Sequence, residues 1–349
     1  MSKITTTATA VPPNTLYPEQ AKRLITDVFP LEPGRAASVG RIVDKSGIAS
    51  RYSVFSSEYM KQPRDLTTDT LDYKEHALAL SVQVITECLA RAGLQTTDID
   101  MLVSVSCTGI LMPSLDAYLI NQLGFRRNII RLPITELGCM GGAAGVARAH
   151  EFSRAYPEKN ILVLSVELPS LTYQHDDPSP ANLVSSAIFG DGAACVLFEA
   201  NARRGIDVLD VESALFPETL GAMGYAMKNE GLHIVLSKDV PTLVREGIRE
   251  PVEALLGRNG LHIEDVSAWV LHGGGRKIIE YMEEELELPR GRTQPSWDVM
   301  RDYGNMSSAT VLFVLHEWET RCTPAPGSLG MMIAFGPGLS AELLLLRWN

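Results

Sequence analysis

What most restricts the folding of this chain is that it repeats itself. Residues 87–105, ECLARAGLQTTDIDMLVSV, read as a helix end, a Gly-Leu stop, an Asp near the turn and an apolar strand. Residues 253–272, EALLGRNGLHIEDVSAWVLH, carry the same features in the same order. Gly93 falls on Gly260, Leu94 on Leu261, Asp98 on Asp265 and Ile99 on Val266, an offset of 167. Farther on, GCMGGAAGVARAHEF (138–152) lies against GNMSSATVLFVLHEW (304–318) at an offset of 166, with His150-Glu151-Phe152 on His316-Glu317-Trp318. Each copy then runs into a buried-strand pattern, ILVLSVE (161–167) and GMMIAFG (330–336). Self-similarity at a fixed offset speaks first about architecture. Two helix–strand–helix–strand units about a pseudo-twofold axis, with strands apolar along their length, predict an α/β fold of five layers, αβαβα, built from two duplicated halves. The polar break Ala202-Arg203-Arg204-Gly205 sets the boundary between an N-terminal half, 1–204, and a C-terminal half, 205–349.

A pseudo-twofold axis brings equivalent points together, and here those points carry reactive side chains. Cys139 sits in ELGCMGGAAG, between glycines and at the start of a small-residue helix. Unpaired N–H groups and the helix dipole at such a position favour a thiolate. Asn305, in DYGNMSSATVLF, is the equivalent of Cys139 in the second copy. His272 ends the strand that matches 101–105, and three glycines follow it in VLHGGGRKII, so a ligand can come close. A thiol, an imidazole and an amide donor together suit acyl transfer through a cysteine thioester, with the amide and imidazole stabilising charge on a carbonyl oxygen. Taken singly, each motif has a plainer reading: a core cysteine, a structural histidine after a strand, an asparagine N-cap. The GGGRK segment is favourable to phosphate but fits no P-loop or dinucleotide fingerprint.

Charge narrows the partners. A net charge of −11 argues against nucleic acid or an anionic membrane as the main partner, while leaving room for a local basic patch that holds a phosphorylated group. The five cysteines, Cys88, Cys107, Cys139, Cys195 and Cys322, are scattered and form no CxxC pair, the pattern of a reducing compartment with neither a disulfide framework nor a zinc site. The opening MSKITTTATAVPPN has no apolar leader core, and no apolar run reaches the length of a membrane span. The expectation is a soluble cytoplasmic protein.

GCMGGAAG, IFGDGAA, HGGGRKI, YGNMSSA and AFGPG, in this order and at these spacings, resemble the type III polyketide synthases, the chalcone-synthase-like enzymes of the thiolase superfamily. The resemblance runs from about residue 10 to residue 349 and implies the thiolase fold. It implies that Cys139 carries the growing acyl chain, and that His272 and Asn305 stabilise the enolate left when malonyl-CoA loses carbon dioxide. Neither a metal nor a redox cofactor is needed. Phe189 matches the family's gating aromatic, and Arg41 and Lys45, with Gly274, Gly275 and Lys277, match positions that meet CoA. Met112 matches a residue that crosses a homodimer interface to wall the partner's cavity. Cys107, Thr108, Pro169, Thr172, Ser185, Ile234 and Ser307 match the cavity lining. Two departures bear on the product. Tetrahydroxynaphthalene-forming bacterial members carry cysteines where Pro169 and Thr172 stand, and plant chalcone synthases carry phenylalanine at Ile234. The lining therefore suits an aliphatic acyl-CoA starter extended to an alkylpyrone or alkylresorcinol, with phloroglucinol-type closure also open. The competing readings are a single-condensation ketoacyl-carrier-protein synthase of the initiating type, a cysteine hydrolase, and a non-catalytic binding module on the same fold.

Overall fold

The computed structural model describes residues 2–29, 31–229 and 231–349. In chain order its strands are β1 (Lys3–Ala10), β2 (Asn14–Leu16), β3 (Arg51–Ser53), β4 (Met101–Val105), β5 (Ile130–Ile134), β6 (Ile161–Glu167), β7 (Gly192–Glu199), β8 (Ile206–Leu215), β9 (Met223–Lys228), β10 (Gly231–Leu236), β11 (Val266–Leu271), β12 (Leu329–Gly336) and β13 (Ser340–Trp348). Nine of them are linked in the order β11-β12-β13-β8-β1-β7-β6-β4-β5. The order contains one pattern twice. In the first half β4 and β6 are parallel, then β6–β7 and β7–β1 are antiparallel. In the second half β11 and β12 are parallel, then β12–β13 and β13–β8 are antiparallel. The halves join through β1 and β8 at the pair Ile4 and Ile206.

The apolar strands are buried because helices cover both of their faces. The Gly141–Ala155 helix packs on β4, β6 and β7 of its own half and on β8, β12 and β13 of the other. With the Thr310–Glu317 helix it forms the middle layer, where Ala143, Val146 and Val311 share a core with Val163, Met332 and Leu344. Outside the first half lies the Leu66–Ala92 helix, with Ala77, Val84 and Cys88 against Leu102, Leu164 and Cys195. Outside the second lie the Arg249–Arg258 and Arg276–Glu285 helices, with Val252 and Ile279 against Trp269 and Leu343. The result is the five-layered arrangement the repeat predicts.

Local chemistry sets the ends of these elements. Asp65 caps the Leu66–Ala92 helix by accepting from the Thr68 amide at 2.7 Å. Gly93 ends it in the left-handed conformation, and its repeat partner Gly260 has the same backbone, with φ of 69° and 70°. The two central helices approach so closely that a Cβ at Gly142 would lie 2.1 Å from the Ser308 carbonyl oxygen. Among the described residues no helix is long and apolar enough to cross a membrane.

Candidate active site

Both central helices are entered through a 3-10 turn, Gly138–Met140 in one half and Ser307–Ala309 in the other. Gly138 adopts φ +51°, and a Cβ there would sit 2.6 Å from the Pro337 ring. Glycine is thus what lets the turn carrying Cys139 nest against the FGPG segment. Across the axis, the Asn305 amide donates to the Ile188 carbonyl at 2.9 Å and Gly190 N–H donates to the Asn305 carbonyl at 3.0 Å. The Asn305 side chain is fixed as well: Oδ1 accepts from the Ser307 amide at 2.8 Å and Nδ2 donates to the Gly274 carbonyl at 3.1 Å. One N–H of Nδ2 remains for a ligand.

His272 leaves β11 with its amide donating to the Ile333 carbonyl at 2.9 Å. A Cβ at Gly274 would lie 3.3 Å from His272 Nε2 and 3.9 Å from Asn305 Nδ2, so the two side chains flank one spot that a glycine keeps open. Ser307 ties that spot to the sulfur, with its Oγ 3.4 Å from Cys139 Sγ and 3.3 Å from Cys107 Sγ. Cys139, His272 and Asn305 all face one cavity of about 710 Å³. Arg41, Lys45, Lys238, Arg276 and Lys277 also line it, a cluster of positive charge on an acidic protein.

Burial dominates the electrostatics. The Cys139 thiol is pushed up to about 12 and the His272 imidazole down to about 4, in each case chiefly because a lone charge loses its hydration. A resting thiolate set by the helix end alone does not follow from this environment. Moving the proton from sulfur to imidazole creates two opposite charges at once, and each then offsets the desolvation of the other. His272 Nδ1 is buried without a protein partner.

Beneath the thiols lies a carboxylate that sequence reasoning missed. Glu167, fully buried at the end of β6, accepts from the Cys107 amide at 3.1 Å and from Thr108 Oγ1 at 2.8 Å, and also from Ser308 Oγ. Desolvation raises its pKa despite these donors. A charged residue closing an otherwise apolar strand, ILVLSVE, was the available signal.

Comparison with known proteins agrees with this geometry. The chain matches the family model for chalcone and stilbene synthases in both its parts, the N-terminal domain over residues 3–202 and the C-terminal domain over residues 208–348. The chain belongs to the chalcone and stilbene synthase family. It is 38% identical over 346 residues to a 1,3,6,8-tetrahydroxynaphthalene synthase of Streptomyces peucetius subsp. caesius, covering 97% of this chain and 91% of the relative. It is 32% identical over 321 residues to a phloroglucinol synthase of Pseudomonas fluorescens, covering 90% of each. Among solved structures, the 1,3,6,8-tetrahydroxynaphthalene synthase of Streptomyces coelicolor superposes with a TM-score of 0.95 at 31% identity, over 99% of both chains. The chain is therefore an acyltransferase of the type III polyketide synthase class, on the thiolase fold.

The chalcone-synthase-like positions divide into two groups. Cys107, Phe189, Ile234 and Ser307 line the main cavity, together with Arg41, Lys45, Gly274, Gly275 and Lys277. Thr108, Pro169, Thr172 and Ser185 do not. The Thr108 hydroxyl is taken up internally, donating to Glu167 and accepting from the Leu168 amide at 2.9 Å. Pro169, Thr172 and Ser185 border a separate small cavity, because the Pro180–Ile188 helix turns Val184 and Ile188 to the main cavity and Ser185 away from it. Met112 is 95% exposed and is not among the residues that line the main cavity. Tyr225, on β9, is a lining residue that no spacing in the sequence marks, and it lies beside Thr172.

Proposed function

We propose that this protein extends an acyl-CoA starter with malonyl-CoA by repeated decarboxylative Claisen condensation on Cys139. The observation that carries the reading is the meeting of Cys139, His272 and Asn305 on one cavity with five cationic side chains in its lining. The cations suit the phosphates of a CoA thioester, and Phe189, in the same lining, takes the part of the family's gating aromatic in this reading. His272 takes the Cys139 proton as sulfur attacks the starter thioester, and free CoA leaves. Malonyl-CoA then places its thioester oxygen between His272 Nε2 and Asn305 Nδ2. Carbon dioxide departs and the electrons it leaves enter the enolate, which those two groups hold. The enolate carbon attacks the acyl group on Cys139 and expels the thiolate, giving a chain longer by one ketide unit, which returns to Cys139 for the next round. Every step is an acyl transfer, a proton transfer or a decarboxylation, so the scheme calls for no metal and no redox cofactor. Ring closure to a pyrone, resorcinol or phloroglucinol-type product then releases the chain. We place the enzyme in the cytoplasm as a homodimer whose Met112 completes the partner's cavity, a position its exposure suits.

The test is incubation with malonyl-CoA and a panel of acyl-CoA starters, without carrier protein, read by mass spectrometry. Products longer than the starter by more than one ketide unit are expected. Cys139→Ala should abolish them while leaving measurable carbon dioxide release, since His272 and Asn305 are untouched. A single extension, or dependence on a carrier protein, would favour the initiating ketoacyl synthase instead.

A further inference from the structure

Phe189 and Asn305 are joined through their backbones. They form a parallel β-bridge, in which the Asn305 amide and carbonyl bond to Ile188 and Gly190, the residues on either side of Phe189. The bridge stands where the Pro180–Ile188 helix and the Gln294–Tyr303 helix both end. It fixes where the Asn305 side chain begins, and with it the place of Nδ2 beside His272. Two hydrogen bonds are a modest net restraint on such a junction.

Arg51, the first residue of β3, supplies more. It is only 5% exposed, and its Nη1 donates to the Phe189 carbonyl at 2.8 Å. The rest of its side chain is pressed close to the bridge. A Cβ at Gly190 would lie 3.0 Å from Arg51 Cβ and 2.8 Å from the Tyr303 carbonyl oxygen. One at Gly304 would lie 3.4 Å from Arg51 Cβ and 2.7 Å from the Ile188 carbonyl oxygen. A glycine after Phe189 and another before Asn305 therefore let Arg51 come this near. The segment around Arg51 is tied to both partners as well. The Ala49 amide donates to the Arg301 carbonyl at 2.7 Å and Ser50 Oγ to the Asp302 carbonyl at 2.7 Å, just upstream of Asn305. The Asp191 amide donates to the Tyr52 carbonyl at 2.8 Å and the Val54 amide to the Asp191 carboxylate at 2.8 Å, just downstream of Phe189. Asp191 is fully buried and offsets the charge of the guanidinium. Arg51 itself borders the smaller cavity and not the main one.

We propose that Arg51 is a positioning residue for decarboxylation, holding Asn305 Nδ2 in place beside His272 by clamping the Phe189 carbonyl. The proposal rests on the reading of Asn305 as the donor to the enolate. A donor moved from its place loses much of its hold on charge that develops during the reaction. Binding of malonyl-CoA, assigned to the cations of the cavity lining, stays as it was. Loss of the clamp should therefore fall on kcat and spare KM.

A double-mutant cycle on carbon dioxide release from radiolabelled malonyl-CoA tests it. Arg51→Lys keeps a positive charge facing Asp191 and gives up the planar guanidinium. Its kcat should fall about fivefold to twentyfold, with KM within about twofold of the wild type. Made in Asn305→Ala, the same substitution should change kcat by less than about twofold, because the group it serves is gone. Arg51→Met, which removes the donor altogether, should lose more and show the same dependence on Asn305. Iodoacetamide alkylation of Cys139, which does not involve Asn305, reports on the fold and should match the wild type in the Arg51 variants. Full kcat in both Arg51 variants, an equal loss with and without Asn305, or a loss carried by KM would overturn the proposal. Failure of both variants to fold, or alkylation that falls together with kcat, would show a merely structural role and overturn it too. No carbon dioxide release from the wild type would instead remove the catalytic reading beneath it, a result distinct from an additive cycle.

Discussion

Burial suppresses a lone charge on a thiol or on an imidazole, and leaves their joint ionisation as the cheaper way to a thiolate. At Cys139 and His272 this has a measurable consequence. With His272 in place, sulfur can pass its proton to nitrogen, and alkylation by iodoacetamide should change little between about pH 6 and 9. In His272→Gln the thiol keeps only the burial that pushes it up to about 12. Its alkylation should then be at least tenfold slower at pH 7 and should climb with every pH unit, because hydroxide must supply the thiolate. Equal, flat profiles in both proteins would show that His272 does not hold the proton. Asn305 has a different part, since it cannot titrate. Asn305→Ala should slow both malonyl-CoA decarboxylation and condensation by roughly 10²–10³, and full rates in that variant would remove it as the donor. The residue types of this set were readable from the motifs. Their protonation was not, because desolvation depends on what covers the site.

At the scale of elements, the decisive contact is between the two central helices. Gly142 has the Ser308 carbonyl oxygen 2.1 Å from where its Cβ would be, and that atom is backbone, so no side-chain rotation relieves the clash. Gly142→Ala should cost more than about 3 kcal/mol or prevent soluble expression. Gly257, inside the Arg249–Arg258 helix, has nothing within 4 Å of its Cβ position. Gly257→Ala should therefore stabilise the protein by about 0.4–1 kcal/mol. Urea unfolding of the two variants checks both, and equal effects would mean that the helix spacing is not set by Gly142. Matching Gly93 with Gly260 foretold this kind of constraint, since both glycines end helices in the left-handed region. The Pro180–Ile188 helix was less legible. Its sequence does not tell which neighbour each face meets, so Ser185 was assigned to the main cavity although it faces the smaller one.

For the whole molecule, the duplication governs. A cavity fed by both halves cannot be complete in either, so a fragment ending near Ala202 should bind neither substrate nor alkylating agent as the full chain does. Sedimentation should give twice the 38.1 kDa of one chain, and Met112→Ala should alter the product spectrum while leaving carbon dioxide release unchanged. A monomer with full activity would remove the shared cavity wall. The sequence by itself determined that two equivalent units face each other and that Cys139, His272 and Asn305 fall at equivalent or adjoining ends, because repeat offsets and glycine positions are local properties of the chain. Only the tertiary structure decided that Glu167 sits beneath the thiols, that both catalytic groups are desolvated, and that the Pro180–Ile188 helix turns Ser185 away from the main cavity. Those facts depend on which distant segments pack together, and packing between segments far apart in the chain leaves no periodic mark on either one.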